Sequence, residues 1–458
     1  MNPAATLAGV LAAIAAAVLL PASAAGQEAA GPGPDWTFHG EHRARYESLD
    51  AQFRPLLDAD DEVLALRTRL TATASWARWG FSAELVDSRA YLNDEGSFLN
   101  ASIVNAAEPL ELVGERRWTG LAGDASATLR FGRLTADLGS RRLLARNNFR
   151  NSSNSFAGFD FSWNGGNGRS LRAFGLAPMF ALPRLRSDLL DNEPQVDNTT
   201  DHTWLAGLAF ARDLGPGGDT VEIYGLRVDA DEILDRRRLT TLGARISRPG
   251  SAGSWHYEVE LAAQGGRSSA LSGGTILRHL DHAAHFGHAD VGYTFESGAA
   301  PRLELELDVA TGDEDPGDDS NERFDTLFGA RRFDFGPTGI FGPFARANLR
   351  SSGLRFNIAP REKLDAMVAW RSFRLESSTD AWTTTLLRDP SGQSGDSLGR
   401  QLEFAIAWRP RIDRLRMDFG GALLSKGSFI SRTAPDLSGT SRYYYVSTTV
   451  QFLDAAGR

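Results

Sequence analysis

The chain has 458 residues, with 58 acidic against 49 basic side chains and a formal net charge of -9. It has no cysteine, which excludes a disulfide framework and any thiolate metal site. Charged residues make up 23 % of it and only Leu7–Leu20 forms a long apolar stretch, so a bundle of membrane helices is excluded too.

That stretch is followed by Pro21-Ala22-Ser23-Ala24-Ala25. An apolar run ending in an A-x-A site reads as a secretory signal, residues 1–24, cut after Ala24. The first seven residues carry no Lys or Arg. The competing reading is an uncleaved anchor, for which the run is short of the about 20 residues a span needs. Residues 25–458 then make one domain, entered through a Gly-, Ala- and Pro-rich lead-in at 26–35.

Period-two alternation starts at 36–46. Trp36, Phe38, Ala44 and Tyr46 alternate with Thr37, His39, Glu41, Arg43 and Arg45. In 64–76, Leu64, Leu66, Leu70 and Trp76 alternate with Arg67, Arg69 and Thr71. In 303–309, Leu303, Leu305, Leu307 and Val309 alternate with Glu304, Glu306 and Asp308. In 401–409, Leu402, Phe404, Ile406 and Trp408 alternate with Gln401, Glu403 and Arg409. These lengths suit membrane-crossing strands of about 9–11 residues. Similar strands are expected near 79–88, 125–133, 155–163, 169–177, 203–212, 220–229, 240–248, 255–265, 285–297, 351–359, 362–376 and 415–426. Segments 107–117 and 137–145 are less regular. The last run, 443–452, places Tyr444, Val446, Val450 and Phe452 opposite Tyr445, Ser447, Thr449 and Gln451. Six residues follow Phe452, where an assembly signal would be expected to end.

Short turns alternate with long polar loops, expected at 89–106, 178–201, 266–284, 311–345 and 377–397. This is the pattern of periplasmic turns and extracellular loops. Trp76, Trp79, Trp163, Trp204, Trp255, Trp370 and Trp408 fall at or near strand ends, where an aromatic girdle would lie. The fold expected is all-β: a single antiparallel transmembrane β-barrel. Loops 178–201 and 311–345 are expected to enter the lumen, because they are long.

Lys363 and Lys426 are the only lysines, so the basic residues are nearly all arginine. A GC-rich genome produces such a bias. A pore for acidic sugars would use it, because arginine keeps its charge and forks onto carboxylates. Parity puts Arg43, Arg45, Arg67, Arg69, Arg355, Arg371 and Arg409 on the inner face. A charge facing lipid at the midplane costs about 2–4 kcal/mol. Glu41, Glu84, Glu258, Glu260, Glu304, Glu306, Asp308 and Glu403 point the same way. The arginines therefore form either a ladder that hands an anion along or a structural network with these acids.

Three other features carry less chemistry. Residues 311–320 hold many carboxylates that could take Ca²⁺, but Pro316 breaks the spacing and a solvated loop is the plainer reading. His279, His282, His285 and His288 recur every three residues, which would align on a helix but not on a loop entering a strand; no metal site is assigned. There is no H-E-x-x-H motif, and no Ser/His pairing is fixed by the sequence, so no enzyme and no cofactor are expected. The arginines are dispersed among acids with no basic tail, which argues against nucleic acid.

Several stretches resemble the alginate export (alginate porin-like) outer-membrane family. They are Leu129-Arg130-Phe131-Gly132-Arg133, Gly139-Ser140-Arg141-Arg142-Leu143, Asn148-Phe149-Arg150-Asn151 and Ser155-Phe156-Ala157-Gly158. Gly292-Tyr293-Thr294-Phe295 through Ala310-Thr311-Gly312-Asp313, and Asn348-Leu349-Arg350 onward to Arg374, extend the likeness. The resemblance implies a monomeric barrel of about 18 strands in the bacterial outer membrane. Its lumen would be electropositive and pass an anionic polysaccharide. It adds Arg133, Arg141, Arg142, Arg146 and Arg150 to the candidate path. The expected partners are an anionic polysaccharide or small anionic solute, outer-membrane lipid and lipopolysaccharide, and a periplasmic partner supplying motive force. A general or small-solute porin for organic acids or sugars is the alternative. A non-transporting structural barrel with a plugged lumen is a third reading.

Overall fold

The computed structural model describes residues 33–457, except 122, 216, 233–234, 273–274 and 411–413. The expected signal and most of the lead-in lie outside the described residues. Nineteen strands follow in chain order. The first half holds β1 (Asp35–Asp50), β2 (Asp61–Trp76), β3 (Trp79–Tyr91), β4 (Asn105–Leu121), β5 (Ala125–Leu134), β6 (Phe156–Gly165), β7 (Arg169–Pro178), β8 (Thr203–Asp213), β9 (Thr220–Glu232) and β10 (Asp235–Arg248). The second holds β11 (Ser254–Ser272), β12 (Thr275–Thr294), β13 (Arg302–Ala310), β14 (Ser320–Asn321), β15 (Leu349–Arg361), β16 (Leu364–Arg374), β17 (Ser397–Trp408), β18 (Leu415–Lys426) and β19 (Thr440–Gly457). Among the described residues three short α-helices, α1 (Arg186–Leu190), α2 (Arg332–Phe335) and α3 (Ser428–Thr433), sit in connections.

β1 pairs antiparallel with both β2 and β19, so the sheet closes on itself. Eighteen strands make the barrel; β14 is a two-residue addition beside β12. Closure removes the sheet edges that lipid could not satisfy. The pleat then sorts the residues. On β13, Leu303, Leu305, Leu307 and Val309 are 44–46 % exposed on the outside, while Glu304, Glu306 and Asp308 are 2–7 % exposed on the inside. An exposed apolar exterior over a buried polar interior is the inverse of a water-soluble sheet and the signature of a lipid-facing barrel.

The connections alternate by end. Residues 77–78, 166–168, 249–253, 295–301 and 362–363 make short turns on the side of both strand termini. Residues 51–60 (L1), 92–104 (L2), 135–155 (L3), 179–202 (L4), 311–348 (L7), 375–396 (L8) and 427–439 (L9) lie at the opposite end. Short turns face the periplasm and long loops the exterior. Trp36 stacks with Phe38, and Trp255, Tyr293 and Phe295 form an edge-to-face series at the periplasmic rim. Trp76, Trp79 and Trp408 join this belt, and Trp204 lies at the other rim. Trp370, expected near an end, sits mid-strand in β16.

The structure corrects one expectation and resolves three points that the sequence left open. Residues 266–284, expected as a loop, belong almost wholly to β11 and β12. The ladder from β10 ends at Arg267 and that from β13 ends at Phe286. Beyond those points the two strands pair chiefly with each other, with β14 added beside 281–282, so the regular lipid-against-lumen alternation of the barrel wall no longer governs the sequence. Segment 107–117 is part of β4, whose register shifts twice against β3 and blurs its parity. Segment 137–145 is not a strand; it runs in L3. Finally, β19 continues past Phe452, with Phe38 opposite Ala455.

The loop side of the lumen is packed rather than open. One apolar cluster joins Phe53 of L1, Ile340, Phe341 and Phe344 of L7, Trp382 of L8 and Phe429 of L9 to the inner wall at Phe373 and Tyr443. A second joins Leu138, Leu143 and Leu144 of L3 to Phe174, Leu205, Tyr224 and Phe286 on the opposite wall. Between these two clusters lies the charged zone.

Candidate functional site

β1 and β2 present Arg43, Arg45, Arg67 and Arg69 to the lumen, as their parity requires. These four side chains grip the tip of L3. Arg67 Nη1 donates to the carbonyls of Asn148 and Arg150, both at 3.0 Å. Arg43 Nη2 donates to the Arg150 carbonyl at 3.0 Å, and Arg45 Nη1 to that of Phe149 at 2.5 Å. Arg69 Nη2 donates to Ser153 Oγ at 2.8 Å. Buried Asn151 completes the hold by donating to the carbonyls of Leu66 at 3.0 Å and Ile103 at 2.9 Å. The stretch Asn148-Phe149-Arg150-Asn151 is thus a loop tip pressed across the lumen onto β1 and β2. Charge-assisted bonds of this kind are about twice as strong as neutral ones.

On the other wall the arginines meet acids. Arg142 of L3 forks onto Asp334 of α2 at 3.0 and 3.1 Å and reaches Glu260 at 2.9 Å and Glu258. Burial opposes its charge, but Asp334, Glu258 and Glu260 together hold its pKa well above the ordinary value. Arg346 also pairs with Asp334, which keeps that carboxyl well below the usual range despite its burial. Arg371 binds Glu306 at 2.6 Å, Asp308, and the Asp334 carbonyl at 2.7 Å. Arg355 binds Glu306 at 3.1 Å and the Phe333 carbonyl at 2.6 Å. L3 and L7 are locked to each other, by a parallel bridge between Leu144 and Phe328, and to β11–β16.

The remaining candidates divide. Arg146 pairs with Glu84 at 2.5 Å, and Arg133 with Glu108 and with Asp197 of L4 at 3.3 Å. Arg409 falls beyond the end of β17 at the periplasmic rim, exposed and paired with Asp365 at 2.5 Å, so it belongs to the mouth rather than the wall. Arg141 lies over the Phe333 ring at 4.9 Å. Arg43, Arg141 and Arg150 make no ion pair among the described residues.

Two further cations of that kind escaped the sequence reading. Arg54 of L1 is sandwiched between Phe53 and Phe98, at 4.3 and 3.9 Å, and donates to the Ile340 carbonyl at 2.9 Å. Burial pulls its pKa down to about 9, and nearby Arg331 adds repulsion. Arg331 of L7 is likewise lowered to about 9 by burial, then by Arg150 and Arg346. Burial alone lowers Arg150. Phe53-Arg54, Phe149-Arg150 and Arg332-Phe333 are aromatic–arginine pairs in connecting segments. The pairing recurs in L1, L3 and L7, the loops that carry these cations.

Of the two loops expected inside, L7 enters with α2, while L4 meets the wall through Asp197. L3, the main crossing, was not expected. The tip of L3 borders two cavities. One of about 860 Å³ lies on the periplasmic side and is lined by Arg43, Arg45, Arg67, Arg302, Arg332 and Arg416, with Glu41, Asp365 and Asp418 among them. The other, about 420 Å³, is lined by Arg150, Arg184 and residues of L2 and L4.

Solved structures share this architecture. The chain is similar to Pseudomonas aeruginosa OccK9 (OpdG), at TM-score 0.59 and 13 % identity over 92 % of this chain and 98 % of that one. It is similar to P. aeruginosa OpdK with vanillate, at TM-score 0.57 and 13 % identity over 92 % and 99 %. It is also similar to P. aeruginosa OccK2 (OpdF) in complex with glucuronate, at TM-score 0.54 and 14 % identity over 91 % and 98 %. No curated protein matches the sequence. A family model described as Alginate export matches residues 35–443, nearly the whole barrel. With its lipid-facing exterior and loop-narrowed lumen, the chain belongs to the alginate export family of bacterial outer-membrane channels.

Proposed function

We propose that this channel passes an anionic saccharide, an alginate-like polyuronate or a related carboxylate, passively along the arginines beside L3. The observation that carries the reading is a set of lumenal arginines without a carboxylate partner among the described residues: Arg43, Arg54, Arg141, Arg150 and Arg331. Two of them line the cavities on either side of the L3 tip, Arg43 on one and Arg150 on the other. A guanidinium bonded only to neutral acceptors keeps its full positive charge, which draws a carboxylate into the lumen. Successive sites must each bind weakly for a solute to pass.

A second reading, a small-solute porin for organic acids or sugars, is favoured by the packed extracellular half and the modest cavities. The solved neighbours carrying vanillate and glucuronate support small carboxylates as well. Planar-bilayer recordings of the refolded barrel separate the two. Block by oligouronates that deepens with chain length supports the polymer. Block by monomeric glucuronate alone supports the small acid. Indifference to both, with no anion preference, would overturn the anionic channel.

A further inference from the structure

The inner faces of β11, β12 and β13 form a three-by-three grid in register. Its rows are His256–Gly292–Glu304, Glu258–Asp290–Glu306 and Glu260–His288–Asp308. Gly292 has a specific job here. A Cβ on it would sit 2.3 Å from His256 Cε1, so only glycine lets the imidazole cross the row to Glu304 Oε1 at 2.9 Å. His256 Nε2 also stands 3.9 Å from Asp290 Oδ1. His288 is held on both sides: Nδ1 is 2.8 Å from Asp308 Oδ1 and Nε2 is 3.2 Å from Asp290 Oδ2. Ligand atoms of Glu258, His288 and Asp290 all lie within 4.8 Å of one another.

We infer that Glu258, His288 and Asp290 form a site for a divalent transition-metal ion on the lumen wall. Asp308 fixes the His288 ring with its Nδ1–H, the carboxylate–histidine arrangement that turns Nε2 toward a metal. His288 Nε2 stands 3.2 Å from Asp290 Oδ2, a spacing at which one ion can bind both the ring nitrogen and the carboxylate. The mixed imidazole and carboxylate donors suit Zn²⁺, Cu²⁺ or Ni²⁺. The site is reachable, since the side chains of Glu258 and Asp290 keep 17 and 18 % of their surface toward the lumen. The larger cavity reaches Gly250, Thr294 and Arg302 beside His256. Glu258 also pairs with Arg142 of L3 and Arg245. Metal entry therefore exchanges one contact of Arg142 while Glu260 and Asp334 keep it in place.

The test is equilibrium dialysis of the full refolded barrel against Zn²⁺, with Cu²⁺ electron paramagnetic resonance as the second readout. The expected result is one Zn²⁺ per chain and a nitrogen-coupled Cu²⁺ spectrum. Asp290→Asn should weaken binding tenfold or more. His288→Gln should remove the nitrogen coupling, and His285→Gln, on the outer face, should change neither. Glu258→Gln and the near-isosteric Asp290→Asn decide the matter if His288→Gln does not fold. No Zn²⁺ bound, or binding that Asp290→Asn and Glu258→Gln leave unchanged, would leave His288 as a doubly paired imidazolium and sink the metal site.

Discussion

Two groups of arginine in one lumen do opposite work. Around Asp334, Arg142 and Arg346 share a buried carboxylate, and Arg371 reaches its backbone. Along L1, the L3 tip and L7, Arg54, Arg150 and Arg331 make no ion pair among the described residues and crowd one another, with pKa values lowered by burial. The first group gains Coulomb energy from its partners and holds L3 and L7 in the barrel. The second keeps its charge at neutral pH without protein neutralisation, and so has charge to offer a passing anion. Arginine content alone says nothing about which role a residue has; the nearest carboxylate decides.

The sharpest way to break this division is Arg142→Ala. It would leave Asp334, Glu258 and Glu260 short of a cation, and stranding a buried charge costs about 3–5 kcal/mol. A fall in the barrel's unfolding temperature in detergent checks this, with noisier conductance as L3 loosens. An unchanged melting temperature would mean that the hub is not an anchor. Arg43→Gln with Arg150→Gln should act mainly on permeation, with a smaller loss of stability because Arg43 also holds the L3 tip. A unit charge ~8 Å from an ion in a water-like medium contributes about 0.5 kcal/mol and acts with opposite sign on chloride and potassium, so losing the pair should lower the chloride-to-potassium permeability ratio roughly thirtyfold. Arg150→Gln alone should leave stability nearly unchanged, because it breaks no ion pair.

A subtler test uses an acid of L7. Asp313 is raised to about 7 by burial, its contact with Glu322 and the charge of Asp380, against about 3.9 in an unfolded chain. Its raised value favours the folded loop while it is protonated. That contribution is complete below about pH 4 and lost as pH rises through about 7. Limited proteolysis of L7 should therefore quicken from pH 5.5 to pH 8, and Asp313→Asn should flatten the profile. The smallest effect is expected at the outer rim. Arg374, exposed and 3.2 Å from Asp396, should cost at most about 1 kcal/mol on replacement by alanine. A larger loss would show that exposed pairs here matter more than the division allows.

Much of the barrel was legible because lipid and lumen impose opposite demands on successive residues. Leu303 to Val309 could be read directly, and the same parity put Arg43, Arg67, Arg355 and Arg371 on the inner face. The reading weakened wherever one demand lapsed. Residues 268–281 lost their alternation above the neighbouring strands, and β4 lost its parity at two register shifts. L3 was illegible as a lumen segment because its hold on β1 and β2 runs through backbone carbonyls, which have no sequence signature.

By itself, then, the sequence determined an all-β barrel, its inside and outside, and an inner wall rich in arginine, since each follows from local period-two patterning against two solvents. Only the tertiary structure decided which arginines are neutralised. Asp334 is 192 residues from Arg142 in sequence, and Arg43 meets a loop 107 residues away. Such pairings depend on loop closure across the lumen, a long-range event that no local pattern encodes.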